Sequence, residues 1–458
     1  MSSSAHYTGT TSESHNYMTQ AIPHSLQSNN SQQSIRANNR HFQLSTSSSS
    51  EQASGGVLLW NIPPTQGAIS RGTVYLRCRV EVPTTAAPTY ADLATSLSFS
   101  GPGPLVAGVK SDGTATGAFI NALSNGYSWM QRLTLYGTGS AVVDQMNYVN
   151  DVMGGLMLAH NSSPAFLAND GQIQLGVARP FDSVSASVQY VDLCLPLPLS
   201  CFNNSQHDFP LYLCKNPLTL QLDLASFARA ISGGTTVAAT DYRVKNAFLC
   251  YEVLEVPHSM IEAEKHAVQG GHPFIMPLQS WLNVQVPISI LSSYTIGANC
   301  SSVRGVYVLP ANTLAYSAAN AEGVRDESYR RNTSDASTGW GAGINAQLYV
   351  DGNVKNSSIF DNPVMQFTQL KQALHNNIQA SVINPSLSTL GTYILNYFAL
   401  GFDCVSFDDE STIFGGTPAT NLNLQLTGFG TDNKITTVCI LYDTLLSFGA
   451  DGIMEVKR

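Results

Sequence analysis

Leu218-Thr-Leu-Gln-Leu222 alternates apolar and polar residues, and Leu422-Asn-Leu-Gln-Leu426 repeats that alternation 204 positions later. A period of two places every leucine on one face of a strand. Two further pairs flank this one in the same order. Leu133-Thr-Leu-Tyr-Gly137 matches Gln347-Leu-Tyr-Val-Asp-Gly352, with Leu135 against Leu348, 213 positions apart. Phe248-Leu-Cys-Tyr-Glu-Val-Leu254 matches Cys439-Ile-Leu-Tyr-Asp-Thr-Leu445, 191 positions apart. The spacing shrinks steadily along the chain, as loops of unequal length would make it. The sequence therefore contains one β-rich unit twice.

The rest of the chain fits around that repeat. Apolar runs are short, and 36 Gly and 21 Pro punctuate them throughout. Thr73–Val80, Arg132–Tyr136, Val184–Leu195 and Ala247–Val256 read as strands. Apolar residues spaced by three or four predict helices over Val142–Leu158 and Val364–Leu374, with a third over Ser259–Val268. Residues 1–56 form a polar arm, rich in Ser, Asn, Gln and Thr, that is too poor in apolar groups to offset the entropy of ordering alone. The expected organisation is this arm, a first unit at 57–257, a linker at 258–271 and a second unit at 272–458. The fold class is all-β with a few short helices, and each unit suits a two-sheet sandwich or a jelly roll with long loops.

Composition narrows the function. Of 458 residues only 12 % are charged, about half the usual soluble-protein value of ~25 %, while 43 % are hydrophobic. Surfaces that meet other proteins are depleted in charge at their cores. A net charge of −9 argues against a chain that wraps nucleic acid. Eight cysteines without CxxC or zinc-finger spacing read as packed thiols rather than as a disulfide framework. The start, MSSSAHYTGT, lacks a basic segment followed by an apolar core, so no secretory leader is expected. Apolar runs also fall short of the ~20 residues of a membrane-spanning helix.

No catalytic signature emerges. GxSxG, HExxH and the phosphate-binding loop are all missing from the sequence. Gly137-Thr-Gly139 reads as a hairpin turn. Cys194, Cys201, His207 and Cys214 cluster, but their spacing suits no metal site. Asp403, Asp408, Asp409 and Glu410 form the densest acidic group, and they read as a solvated loop. No catalytic, cofactor-binding or metal-ligating residue is therefore assigned. The arm offers Arg36 and Arg40 as contacts on an inner face. Glu13 and Glu51 balance them, so strong direct binding of a nucleic acid is not expected.

Several stretches resemble the double jelly-roll major capsid proteins of tectivirus-like phages, virophages, polinton-like viruses and large eukaryotic DNA viruses. In the first half these are Trp129-Met-Gln-Arg-Leu-Thr-Leu-Tyr-Gly137, Val143-Asp-Gln-Met-Asn-Tyr148, Asn216-Pro-Leu-Thr-Leu-Gln-Leu222 and Ala247–Leu254. In the second half they are Ala346–Gly352, Phe367–Leu374, Leu422–Leu426, Leu441-Tyr-Asp443 and Gly452-Ile-Met-Glu-Val456. The resemblance covers roughly 57–458 and implies an all-β fold of two tandem jelly-roll β-sandwich domains. It implies a homotrimer with six jelly rolls and a pseudo-hexagonal outline, tiled into an icosahedral shell. It also implies residence in the virion, minor capsid or penton proteins as neighbours, and an internal membrane as a further candidate neighbour. Long loops at 81–118, 225–242 and 311–345 would form outer towers. A single-jelly-roll coat protein with a protruding β domain and a trimeric glycan-binding spike are the alternatives.

Overall fold

The computed structural model describes residues 40–83, 118–120, 125–158, 182–185, 188–204, 207–233, 241–288, 291–312, 344–355, 362–378, 398–406, 414–428, 434–450 and 452–457. The first half contributes β1 (Arg40–Thr46), β2 (Glu51–Ala53), β3 (Val57–Ile62), β4 (Gly67–Ile69), β5 (Tyr75–Pro83), β6 (Ala118–Ile120), β7 (Met130–Tyr136), β8 (Val142–Asn147), β9 (Asp182–Ser185), β10 (Val188–Pro196), β11 (Leu218–Leu224), β12 (Ile231–Gly233) and β13 (Arg243–Glu255). The second half contributes β14 (Phe274–Ile288), β15 (Leu291–Asn312), β16 (Asn345–Val350), β17 (Asn353–Val354), β18 (Leu400–Asp403), β19 (Thr417–Thr427), β20 (Lys434–Phe448) and β21 (Met454–Lys457).

Two sheets face each other in the first half. One runs β1-β13-β5-β10-β9, with β2 and β4 added along β13; the other runs β3-β11-β7-β8. The second half repeats both orders, with one strand serving two sheets. Leu291–Gly297 of β15 pairs with β19. Beyond register shifts at Cys300 and Val303, the rest of β15 pairs with β20 and β18. Such irregularities bend a strand from one sheet into another. The orders are then β14-β20-β15-β18 and β15-β19-β16-β17, matching β1-β13-β5-β10 and β3-β11-β7-β8 strand for strand in chain order. This is the eight-stranded jelly roll, present twice.

The repeat holds at the level of residues. Leu135 lies opposite Leu220, and Leu348 lies opposite Leu424. Two of the sequence matches are thus cross-strand partners in both units. β11 alternates buried and half-buried residues, so Leu218, Leu220 and Leu222 all enter the core. Leu422, Leu424 and Leu426 do the same from β19. Each buried leucine contributes roughly 1.5–3 kcal/mol.

Three sequence expectations need correction, and a further one is met. First, Arg40–Thr46 is not arm: all seven residues pair with Thr46-facing Phe248 through Leu254 of β13, so the first unit begins by residue 40 and not at 57. Residues 1–39 lie outside the described residues. Second, the stretch 258–271 carries the helix expected over Ser259–Val268: α1 (His258–Gln269) occupies most of it and buries Ile261 and Val268. Third, Val142–Leu158 is not one helix: Val142–Asn147 is a strand paired with β7, followed by a π-helix over Asp151–Leu158. Fourth, Val184–Leu195 is two antiparallel strands, β9 and β10. The other helix is found as expected, as α2 (Pro363–Ile378).

Most of the expected towers, 84–117, 234–240 and 313–343, lie outside the described residues. The roots of the first two are joined, because β6 pairs with β12. The two longest of these segments also leave from corresponding strands, β5 and the second half of β15.

Trp60 ties the sheets of the first unit together. It is 1 % exposed, and its indole N–H donates to Ala247 O across the sandwich at 3.1 Å. Trp60→Ala should therefore lower unfolding stability by about 3–5 kcal/mol. Urea unfolding followed by fluorescence reads this; a loss below 1 kcal/mol would mean that the two sheets do not depend on this side chain.

Candidate assembly surfaces

The two units meet along a seam built from side chains rather than from a shared ladder. On the first unit the seam consists of β8, the π-helix and Ser200–Asn204. On the second it consists of β14 and the outer face of β20. β8 is thus covered on both sides, which removes the simple alternation a half-buried strand would show. Val143, Asp144 and Met146 are buried while Val142 is exposed, so the residues fell at a helix-like spacing.

Two carboxylates organise the polar part. Asp144 accepts from Gln145 N–H at 2.9 Å and Ser280 Oγ at 3.1 Å on one oxygen, and from Cys201 N–H at 3.2 Å on the other. Burial pushes its carboxyl above the usual carboxylate range, against these donors. Asp151 opens the π-helix and reaches further across. It accepts from Thr437 Oγ1 at 2.7 Å and Gln285 Nε2 at 3.1 Å, both of the second unit, and it pairs with Arg229 of the first. Asn283 Nδ2 donates to Asn147 O at 2.7 Å, and Ser200 Oγ donates to Gln279 O.

The apolar part is an aromatic chain. Phe202 and Phe209 of the first unit meet edge to face at 5.5 Å, Phe209 meets Phe448 of the second at 5.7 Å, and Phe448 meets Phe274 at 5.8 Å. This geometry suits the ring quadrupoles. The C-terminal segment closes the same end. Gly452 has φ +68°, and a Cβ there would stand 2.7 Å from Lys215 Cβ. Thr138 Oγ1 donates to Gly452 O at 3.1 Å, so the Gly137–Gly139 turn serves as a seam contact.

The corresponding surfaces elsewhere are open. Phe42 on β1 is 66 % exposed and Leu44 is 51 % exposed. At the far side, α2 leaves Val364 and Met365 exposed, and β17 leaves Val354 exposed.

The residues singled out from sequence scatter over this frame. Arg40 begins β1, with Nη1 3.7 Å from Glu252 Oε2 of the same chain. Arg36 lies outside the described residues. So do Asp408, Asp409 and Glu410, while Asp403 ends β18 and accepts from Val405 N–H at 3.0 Å. Cys194 faces outward on β10, and Cys201 and Cys214 are buried. All eight cysteines are free thiols. Among the described residues, no three His, Cys, Asp or Glu side chains gather where they could hold a metal ion, and no helix is long and apolar enough to cross a membrane. Sequence reasoning missed the seam carboxylates Asp144 and Asp151. Their only local signal was an acidic residue within an apolar stretch.

No family model matches the sequence, and no curated protein matches it. Solved structures do. VP54 of PBCV-1, fitted into a reconstruction of the virophage Sputnik, aligns over 92 % of this chain and 97 % of its own, with a TM-score of 0.54 and 8 % identity. The fold is the double jelly roll. A chain of the Sputnik virophage structure aligns over 92 % of this double jelly roll and 88 % of its own length, with a TM-score of 0.56 and 12 % identity. The Faustovirus major capsid protein covers 90 % of each chain, with a TM-score of 0.54 and 8 % identity.

Two outcomes test the seam of this double jelly roll. Asp151→Ala removes the buried carboxylate that the largely covered Arg229 guanidinium pairs with and that accepts from Thr437 and Gln285, and calorimetric or urea unfolding should show a loss of about 3–5 kcal/mol. Asp144 gives a pH signature. Its folded-state value is raised above the ordinary 3.8, so the folded chain binds the proton more tightly. The resulting stability is full below 3.8 and is lost as pH rises through the raised value. Urea melts across this range should show Asp144→Asn removing that component of the slope; identical slopes in both chains would refute it.

Proposed function

We propose that the chain is a major capsid protein that assembles as homotrimeric, pseudo-hexagonal capsomers into the icosahedral shell of a virus. The observation that carries this reading is the tandem repetition of one jelly roll, the first unit lying on the outer face of the second. Two similar units side by side present six edges when three chains close around an axis, and a closed cyclic group is the usual outcome of such contacts. The low charge of the chain supports broad contact surfaces, since each buried charge left unpaired costs several kcal/mol. The solved structures that share the fold include the Faustovirus major capsid protein, which supports the same reading.

Its role is structural rather than catalytic, and its place is the virion. Partners are further copies of itself, then minor capsid or penton proteins. An internal membrane beneath the shell is a further candidate neighbour. Arg36 and Arg40 are too few, and Arg40 too close to Glu252, to package a genome by charge.

Light scattering on the purified full chain, with negative-stain imaging of the main peak, tests the reading. The expected species contains three chains and has a six-lobed outline. A single-chain species without that outline would overturn it.

A further inference from the structure

The internal seam joins two particular surfaces. One is the edge strand β8 with the helix that follows it. The other is the outer face of the strand pair β14–β20. Because the fold repeats, each surface has a counterpart elsewhere in the chain. β17 and α2 correspond to β8 and the π-helix. β1 and β13 correspond to β14 and β20. The matched segments Phe248–Leu254 and Cys439–Leu445 set the residues in register. Leu44 lies opposite Cys250, and Trp281 lies opposite Leu441, so Leu44 occupies the position of Trp281. By the same register Phe42 occupies the position of Gln279.

Burial separates the two sets. On the second unit, Trp281 is 7 % exposed and Leu441 is 3 % exposed, beside Ser280 and Asn283 that bond to the first unit. On the first unit, Phe42 and Leu44 stand in the open. The nine exposed large apolar side chains among the described residues are Phe42, Leu44, Val57, Leu59, Val142, Val354, Val364, Met365 and Ile453. Four of them fall on the two vacant counterparts, Phe42 and Leu44 on β1 and Val364 and Met365 on α2; Val354 on β17 corresponds to Val142 on β8, which is exposed beside the internal seam as well. A single chain cannot bring these halves together, since they lie on opposite ends of its tandem. A second copy can.

We infer that a second copy of this chain seats β17 and the Val364–Met365 face of α2 on the outer face of β1, over Phe42 and Leu44, repeating the internal seam between chains. This deepens the capsomer reading and rests on it. The contact is head to tail, so each copy offers one half to each neighbour. It differs from the seam it copies at one position in particular: Phe42 stands where β14 carries Gln279, while Leu44 stands where it carries Trp281 and Thr46 where it carries Asn283.

The test uses two full-length double variants, Phe42→Asp with Leu44→Asp, and Val364→Asp with Met365→Asp. The side chains are exposed, and each pair spoils a different half. Sedimentation after brief glutaraldehyde fixation should show loss of the three-chain species in each variant alone. An equimolar mixture keeps one intact pair of halves, so it should give a two-chain species, which also proves that both variants are folded. Either variant retaining the three-chain species, or a mixture that stays single-chain, would overturn the docking faces. A wild-type chain that is itself single would instead overturn the capsomer reading, so the two failures are distinguishable.

Discussion

β20 is buried on both faces, and a strand buried twice must be covered twice. One cover is the second unit's own partner sheet. The other is the first unit, whose π-helix and Phe209 lie against it while β8 lies against the neighbouring β14 and β21. This requirement orders the rest of the molecule. It fixes which edge of the first unit turns inward, and it explains why β8 carries buried residues on both sides. It also places Asp144 and Asp151 where polar groups of two units converge. A buried carboxylate is tolerated only when donors surround it, and here the donors come from both sides of the seam. The polar contacts therefore specify one relative placement of the units, while the aromatic chain from Phe202 to Phe274 supplies apolar cohesion.

The same requirement separates what is shared between the units from what differs. Both have the eight-strand order, and both insert their longest segments after corresponding strands. Their outer faces differ: Asp443, in a buried setting, accepts from Ser302 Oγ at 2.6 Å, whereas its counterpart Glu252 sits near the exposed Arg40. One ancestral strand position has become a covered interior site in one unit and an open surface in the other. Position in the tandem, rather than the fold, decides which.

Much of the fold was legible in the sequence, for a physical reason. Leu135, Leu220, Leu348 and Leu424 face one core from paired strands, so alternation and repetition report the same constraint. α2 was legible too, because Leu370 and Leu374 bury one helical face. β1 was not. Its core-facing residues are His41, Gln43 and Ser45, and its apolar residues point outward, so the stretch blends into the Ser-rich segment around it. β8 misled because it is covered twice, and its burial lost the period of two. The seam was invisible, because its partners lie more than a hundred residues apart and nothing local marks them. Asp144 and Asp151 looked like ordinary polar residues within an apolar stretch, and the acidic cluster at 403–410 looked more promising than either.

The strand β15 has a mechanical consequence. In the first unit, β3 and β5 are separate strands joined through β4 and its flanking turns, so one sheet can shift against the other by bending that connection. In the second unit a single run of backbone enters one sheet, turns at Cys300–Val303 and continues in the other. Sliding those sheets past each other would strain covalent geometry instead of a loop. The second unit is thus the stiffer half, a braced frame beside a more compliant one. In a closed ring of copies, stiff and compliant elements would alternate around the perimeter, so a tile under load would yield at the first units and keep its shape at the second.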